Sequence, residues 1–189
     1  MGRTMAKVII WNLVTLDGFF EGEAKWDLDF HSRAWGPELE KLSEEFGASA
    51  GLLVFGRVTY EGMKAYWTTA TEDEGTVKAY MNALPKLVAS RTLTTSDWNN
   101  TEMTDDIVGE LSRRKQALDK TIYVFGSAEL TQSLLEAGLV DELKLAIVPV
   151  QLGKGTRFFK EGARRDFDLI EAQPLSNGTI LARYVPVSR

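Results

Sequence analysis

The hydrophobic residues of this chain fall in short, nearly continuous runs that alternate with amphipathic segments. The run 7–16 is almost wholly apolar and rich in β-branched and aromatic side chains, which is typical of a strand buried on both faces of a sheet. Later runs share this character and are bounded by glycine, proline or polar turns. We predict further strands there, at 51–56, 86–90, 121–125 and 142–150.

Helical spacing separates these strands. Leu39, Leu42 and Phe46 recur at positions i, i+3 and i+7, and Pro37 suits the first turn of such a helix. Gly47 is expected to end it, since glycine is common just beyond a helix C-terminus. Further helices are predicted to begin near Thr59, at Ile107, and after an N-cap at Ser127 with Gly138 beyond its end.

The last part of the chain has a different pattern. Segments 167–172 and 179–187 are predicted strands, and the Asn177–Gly178 pair between them is a hairpin turn signal. Residues 19–33 show no clear period and are predicted as a loop. Alternating strands and helices followed by a hairpin predict an α/β fold with a mainly parallel central sheet and a C-terminal antiparallel hairpin. We expect a single domain over 5–189.

Charge and composition exclude several classes of function. The chain has 22 basic and 27 acidic residues, a net charge of −5, and so lacks the basic surface that nucleic acids require. Its longest apolar run, 145–150, is far shorter than the ~20 residues of a membrane span. With no cysteine, we expect neither disulfides nor a Cys-based metal site. No export leader precedes Met5, so a cytoplasmic protein is expected.

Candidate chemistry lies where predicted strands end. In an open α/β sheet, ligands bind beyond the carboxyl ends of the strands, where turns expose backbone N–H groups. Gly56, Arg57 and Thr59 follow one strand and open a helix, as Gly126–Ala128 does after another. A third strand ends at Ser90–Arg91, and a guanidinium matches phosphate oxygens bidentately. Each turn alone is compatible with a plain connection, but three together favour a nucleotide site.

Several segments resemble one known family. They are LDGF (16–19), VFGRVTYE (54–61), VASRTL (88–93), YVFGSAELTQSLLEAGLVDEL (123–143) and PVQLGKGTRFF (149–159). Together they are similar to the reductase domain of the bacterial riboflavin deaminase-reductase, the RibD C-terminal domain, in the dihydrofolate-reductase-like superfamily. The resemblance extends over 7–187, although the chain lacks the GxGxxG and P-loop fingerprints of other nucleotide-binding proteins.

The resemblance implies a three-layer dihydrofolate-reductase-like fold that binds NADPH across the strand ends. The implied contacts are Thr15, Asp17 and Gly18 beside the nicotinamide ribose; Gly56, Arg57 and Thr59 at cofactor phosphate; Ser90 and Arg91 at the adenosine 2′-phosphate; and Gly126, Ser127, Ala128 and Leu130 at the pyrophosphate. Core packing is the simpler explanation of the Leu130 side chain. The family also implies a homodimer that forms through sheet-edge surfaces.

Two departures from the family bear on this assignment. Dihydrofolate reductases have two glycines joined by a cis peptide where this chain has Gly126–Ser127, so the same backbone geometry is in doubt. The deaminase half is missing, and a chain without cysteine cannot supply its His/Cys/Cys zinc site. A role in riboflavin synthesis would therefore require a separate deaminase.

The substrate side carries a weaker signal. Folate reductases bind the pterin with a buried carboxylate that follows a tryptophan-bearing loop. Asp27 or Asp29, close to Trp26, is the candidate here, because a carboxylate accepts two hydrogen bonds from a pyrimidine-like edge. Gly153 and Gly155 fall in a loop that borders the substrate pocket in the family.

These observations predict an NADPH-dependent oxidoreductase that transfers hydride to a small heteroaromatic or ribosylamino-pyrimidine-type substrate. In such a reaction the cofactor carries the chemistry, which explains a site without an obvious catalytic triad. Two alternatives stay open. One is dihydrofolate reductase activity, which the spacing around Trp26 disfavours. The other is a nucleotide-binding module that has lost turnover.

Overall fold

The computed structural model describes residues 5–162 and 164–187. The strands are β1 (Val8–Thr15), β2 (Phe19–Glu21), β3 (Ala50–Gly56), β4 (Lys86–Ala89), β5 (Thr101–Thr104), β6 (Thr121–Phe125), β7 (Glu142–Val148), β8 (Thr156–Arg157), β9 (Phe167–Pro174) and β10 (Ile180–Pro186). The α-helices are α1 (Pro37–Ser49), α2 (Arg57–Thr69), α3 (Gly75–Ala83), α4 (Ile107–Ala117) and α5 (Ala128–Glu136). Short 3₁₀ helices span Asp29–Arg33 and Glu72–Glu74.

The central sheet has eight strands in the order β5-β4-β3-β6-β1-β7-β10-β9. Neighbouring strands from β5 to β7 are parallel, while β10 is antiparallel to both β7 and β9. Strands β2 and β8 form a separate antiparallel pair. This arrangement confirms the predicted α/β fold with a mainly parallel sheet and a C-terminal antiparallel hairpin.

Helices cover both faces of the sheet. On one face, Phe46 of α1, Tyr60 of α2 and Met81 of α3 belong to a single buried cluster. On the other face, Leu111 of α4 and Leu134 of α5 belong to a second cluster. The sheet is therefore the middle of three layers. All eight residues of β1 are buried, which explains why its sequence reads as one continuous apolar run.

Several local signals were interpreted correctly. Pro37 is the first residue of α1. The hydroxyl of Ser127 accepts the N–H of Leu130 at 3.4 Å and so caps α5. Gly138 after α5 and Gly178 in the hairpin turn have φ of 67° and 87°, in the left-handed region that favours glycine.

The prediction that Gly47 ends α1 is wrong, because the helix continues to Ser49. A β-carbon at residue 47 would overlap the ring of Tyr80 in α3. The glycine therefore permits the close approach of α1 and α3 and does not serve as a C-terminal cap.

Some strands and helices were not predicted from the sequence pattern. Segment 19–33, predicted as a loop, contains β2 and a 3₁₀ helix. Strand β2 has three residues and pairs with the two residues of β8. Strand β5 is polar and largely half-buried, and α3 has only nine residues. Elements this short carry little periodicity of their own, because their partners in the fold decide their conformation.

Candidate functional site

The turns after β3, β4 and β6 line one open cleft of about 580 Å³. These strands are neighbours in the sheet, so their carboxyl ends lie side by side. The cofactor-binding candidates that line the cleft are Gly56, Arg57, Ser90, Arg91, Ser127, Ala128 and Leu130. The structure therefore brings together all three turns singled out in the sequence, in a cleft of the size usual for ligand sites.

The turns after β3 and β6 are in close contact. A β-carbon at Gly56 would lie 2.9 Å from the hydroxyl oxygen of Ser127, and one at Gly126 would overlap Thr59. Gly126 has a φ of 57°, and its N–H donates to Oδ1 of Asn12 at 3.1 Å. Thr59 is buried at this contact, so its side chain supports the turn from behind.

The N-terminus of α5 opens into the same cleft. Among the described residues no peptide bond is cis, so the bond between Gly126 and Ser127 is trans. The first-turn N–H groups of α5 carry the positive end of the helix dipole and favour an anion. The Leu130 side chain is 5% exposed in the core, in line with the packing role considered from the sequence.

Arginines stand at two of the three turns. Arg57 begins α2, and its guanidinium lies 3.1 Å from the Glu61 carboxylate one helical turn on. Arg91 is exposed. The hydroxyl of Ser90 accepts the N–H of Leu93 at 2.9 Å, which fixes the backbone around Arg91. Both cations are thus positioned by local structure at the edge of the cleft.

Thr15, Asp17 and Gly18 form the turn after β1. The Asp17 carboxylate accepts hydrogen bonds from the Thr15 hydroxyl at 2.6 Å and from the N–H groups of Leu152 and Gly153 at 3.1 and 2.7 Å. The bond from Thr15, together with those from the backbone, lowers the pKa of Asp17 to about 2. The carboxylate therefore joins two loops, and this turn lies beside the cleft, next to the residues of β2 that line it.

The loop after β7 reaches the cleft at Thr156. Gly155 has a φ of 138°, and a β-carbon there would overlap the carbonyl oxygen of Glu21, so glycine is required for this approach. Gly153 has a φ of 80° with open space around it. Gly155 therefore lies next to the cleft-lining residue Thr156, whereas Gly153 contacts Asp17 through its N–H.

Trp26 adopts a φ of 64°, which is uncommon for a residue other than glycine. Its indole packs directly on Gly62 of α2, where a β-carbon would overlap the ring. The backbone N–H of Trp26 donates to the Glu21 carboxylate. The neighbouring residue, Lys25, lines the cleft. Segment 22–28 is therefore held between β2 and α2, at the cleft's edge.

The predicted acidic residues lie outside the cleft lining. Asp29 is exposed at the start of a 3₁₀ helix, so it does not form the buried carboxylate that folate reductases use. Asp27 is half-buried against Gly22. His31 follows in the same 3₁₀ helix, and burial lowers its pKa to about 4, so its imidazole is neutral at pH 7.

Sequence reasoning missed several polar residues of the cleft, namely Glu21, Lys25, Glu129, Thr156 and Lys160. Glu129 lies in the first turn of α5, whereas the other four belong to the segments around the paired strands β2 and β8. No linear spacing signals such a pair, because the partners lie more than a hundred residues apart and each strand is only two or three residues long.

Within the described part of the chain, no three His, Cys, Asp or Glu side chains are grouped to hold a metal ion. None of the helices in that part is long and apolar enough to cross a membrane.

Known proteins are similar to this chain in sequence or in structure. The uncharacterised protein YyaP of Bacillus subtilis is 27% identical over 185 residues, which cover 94% of each chain. A candidate riboflavin biosynthesis protein from Shewanella sp. PV-4 is similar in structure, with a TM-score of 0.73 and 18% identity over 96% of this chain and 99% of that one. Dihydrofolate reductase from Enterococcus faecalis, solved with NADP(H), gives a TM-score of 0.63 and 13% identity over 96% and 97%.

At these identities the two structures establish a dihydrofolate-reductase-like fold. The family is established by a separate match of residues 6–181 to the model of the RibD C-terminal domain. Since that match covers most of the 189 residues, and the cleft lies at the strand ends where the sequence resemblance placed it, the chain belongs to the RibD C-terminal domain family.

Proposed function

We propose that this protein is an NADPH-dependent reductase that transfers hydride to a small heteroaromatic substrate of the ribosylamino-pyrimidine type. The observation that supports the proposal is the convergence of three phosphate-capable turns, Gly56–Arg57, Ser90–Arg91 and Ser127–Ala128, on one cleft. NADPH carries a pyrophosphate and a separate 2′-phosphate, so an elongated site with several anion contacts suits it. Family membership favours a reductase with a substrate related to riboflavin synthesis.

The residues of the cleft fit this cofactor. The first turn of α5 offers backbone N–H groups to the pyrophosphate, with Arg57 on the neighbouring turn. Arg91 is suited to the 2′-phosphate, since a guanidinium binds phosphate oxygens through two N–H groups. Gly56 and Gly126 keep the backbone of both turns free of side chains. Bound NADPH supplies the hydride, and the protein aligns the acceptor with it.

The substrate side is assigned to the opposite border of the cleft. We assign the nicotinamide ribose to the Thr15–Gly18 turn, which the Asp17 carboxylate ties to Gly153. We assign Trp26, Gly153 and Gly155 to substrate contact. Asp27 or Asp29 is our candidate for contacting the substrate and assisting protonation, and half-buried Asp27 is the better sheltered of the two.

Two alternatives have specific support. The fold likeness to dihydrofolate reductase favours a pterin acceptor. The exposure of Asp29 favours a nucleotide-binding module without turnover. Oxidation of NADPH by pterin but not pyrimidine acceptors would establish the first, and turnover with either acceptor would eliminate the second.

We also propose that the protein is cytoplasmic and that it is a homodimer, the latter as the resemblance implies. Strand β9 forms one edge of the sheet, and on the terminal hairpin Leu169, Ile170 and Ile180 are 56%, 50% and 41% exposed. An apolar surface of this kind suits association with a second copy. Light scattering should report a dimer, and a Leu169→Glu/Ile170→Glu variant should be monomeric. A monomeric wild-type protein would overturn the proposal.

The function is tested first by titration with NADPH and NADH, following tryptophan quenching and reduced-nicotinamide emission. We expect NADPH to bind at least about tenfold more tightly, a difference of about 1.4 kcal/mol. The double variant Arg57→Ala/Arg91→Ala should lose that binding, and unchanged affinity would refute the site assignment. If neither cofactor binds the wild-type protein, the reductase proposal fails.

A further inference from the structure

Two charged side chains meet at the mouth of the cleft. Lys160, which follows β8, donates from Nζ to Oε1 of Glu129 at 2.7 Å. Glu129 is the second residue of α5 and lies in its first turn. Both residues line the cleft. An ion pair therefore stands at the helix end that we assign to the pyrophosphate.

The negative charge of Glu129 is unfavourable for an anion-binding site. An acidic residue in the first turn stabilises a helix, because it compensates the positive end of the dipole. The same positive end attracts phosphate, so the carboxylate and a phosphate compete for it. The side chains of Lys160 and Glu129 are 39% and 82% exposed, so the pair can separate without leaving a buried charge.

The other charges of the cleft determine how strongly this competition affects phosphate binding. The lining has four cationic and three acidic side chains, namely Lys25, Arg57, Arg91 and Lys160 against Glu21, Asp105 and Glu129. The hydrogen bond from Lys160, and to a smaller extent the charge of Arg91, lowers the pKa of Glu129. The Glu129 carboxylate is therefore ionised at neutral pH and interacts with two of the four cations.

We propose that Lys160 binds the cofactor's pyrophosphate and that Glu129 competes with the pyrophosphate for Lys160. When the dinucleotide binds, Nζ of Lys160 exchanges its carboxylate acceptor for a phosphate oxygen. Lys160 then raises cofactor affinity and Glu129 limits it. This inference rests on the proposed function and adds two affinity-determining residues to it.

The test is a fluorescence titration of single variants with both cofactors. We expect Lys160→Met to weaken NADPH binding by about threefold and Glu129→Gln to tighten it by about threefold, since exposed charge pairs have modest energies. NADH has the same pyrophosphate and should respond equally, whereas Arg91→Met should affect NADPH alone. In a Lys160→Met background, the gain from Glu129→Gln should shrink.

Glu136→Gln is the matched control. It removes the same charge from the last turn of the same helix, where Glu136 contacts Gln132, and should leave both affinities unchanged. Because the Glu129→Gln result is a gain of affinity, misfolding cannot produce it.

The outcomes of the titrations distinguish a failure of the proposed function from a failure of the inference about Lys160 and Glu129. If the wild-type protein binds neither cofactor, the proposed function fails. If the wild-type protein binds NADPH but neither variant shifts its affinity, the inference alone is wrong. Shifts for NADPH without matching shifts for NADH would overturn the pyrophosphate assignment.

Discussion

The side chain of Thr59 fills the space that a β-carbon at residue 126 would need. Thr59 lies in the first turn of α2 and Gly126 in the turn after β6, so this contact joins two of the turns that form the cleft. The hydrogen bond from Gly126 to Asn12 ties the same turn to β1. The turns after β3 and β6 are therefore one packed unit.

Gly126→Ala should weaken NADPH binding and destabilise the fold, because the new methyl group displaces Thr59. Gly138→Ala is the control, since Gly138 has a φ of 67° and nothing within 4 Å of an added β-carbon. The control should lose only about 1 kcal/mol from left-handed strain, with no change in binding. Urea denaturation and cofactor titration make the comparison. Equal losses in both variants would show that the Thr59 contact has no role.

Asp17→Asn should make the free energy of unfolding less dependent on pH in the acid range. The folded-state pKa is lowered from 3.8 to about 2, mainly by the hydrogen bond from Thr15. The carboxylate therefore stabilises the fold above pH 3.8, and this contribution is lost as the pH falls toward 2. Urea denaturation across that range should show a steeper loss in the wild type than in the variant. Asp168→Asn, at an exposed site, should behave as the wild type does.

Lys86 is a buried cation of β4, only 1% exposed. Its Nζ donates to the carbonyl oxygens of Asn82, Leu84 and Asn99 at 3.2, 2.8 and 3.0 Å. Lys86→Met should cost about 3 kcal/mol of unfolding free energy, because three carbonyls lose this donor. Lys120→Met, at an exposed position, should change stability by less than about 0.5 kcal/mol.

The same lysine should make stability depend on alkaline pH. Burial lowers the pKa of Lys86 from 10.5 to about 8, so between these values the unfolded chain binds more protons than the folded one. The free energy of unfolding should then rise with pH in this range. Lys86→Met should remove this part of the slope and Lys120→Met should retain it. If Lys86→Met left the dependence of the unfolding free energy on pH unchanged, the lowered pKa of Lys86 would be contradicted.

Gly62→Ala should destabilise the wild-type protein despite the higher helix propensity of alanine, because the methyl group overlaps the Trp26 indole. In a Trp26→Ala background the same substitution should stabilise α2 by up to about 1 kcal/mol. Thermal denaturation of the four proteins tests this reversal of sign. A change of the same sign in both backgrounds would show that the contact is unimportant.

Residue patterns predicted the features whose causes are local. The buried strands appear as apolar runs because parallel strands are covered on both faces. The turns at Gly56, Ser90 and Ser127 were recognised because each directly follows such a run, and the sheet order then places them together.

Features that depend on distant partners were not predictable. Gly47 looks like a helix terminator, but its role is set by Tyr80. Nothing in the sequence indicates that the Asp17 carboxylate accepts an N–H group 136 residues away, at Gly153. Lys160 reaches the cleft only because β2 and β8 pair. Each depends on tertiary contacts that a linear pattern does not encode.

The pairing of β1 with β6 sets a length scale for the ligand. Trp11 is the last residue of β1 opposite β6, where it faces Phe125, yet β1 continues to Thr15. Those further residues, at about 3.3 Å each, carry the Asp17 turn roughly 13 Å beyond the Gly126 turn. The part of β1 beyond its pairing with β6 therefore sets the distance between the Asp17 turn and the Gly126 turn. A molecule that contacts both turns must be elongated, because the part of β1 beyond its pairing with β6 separates them.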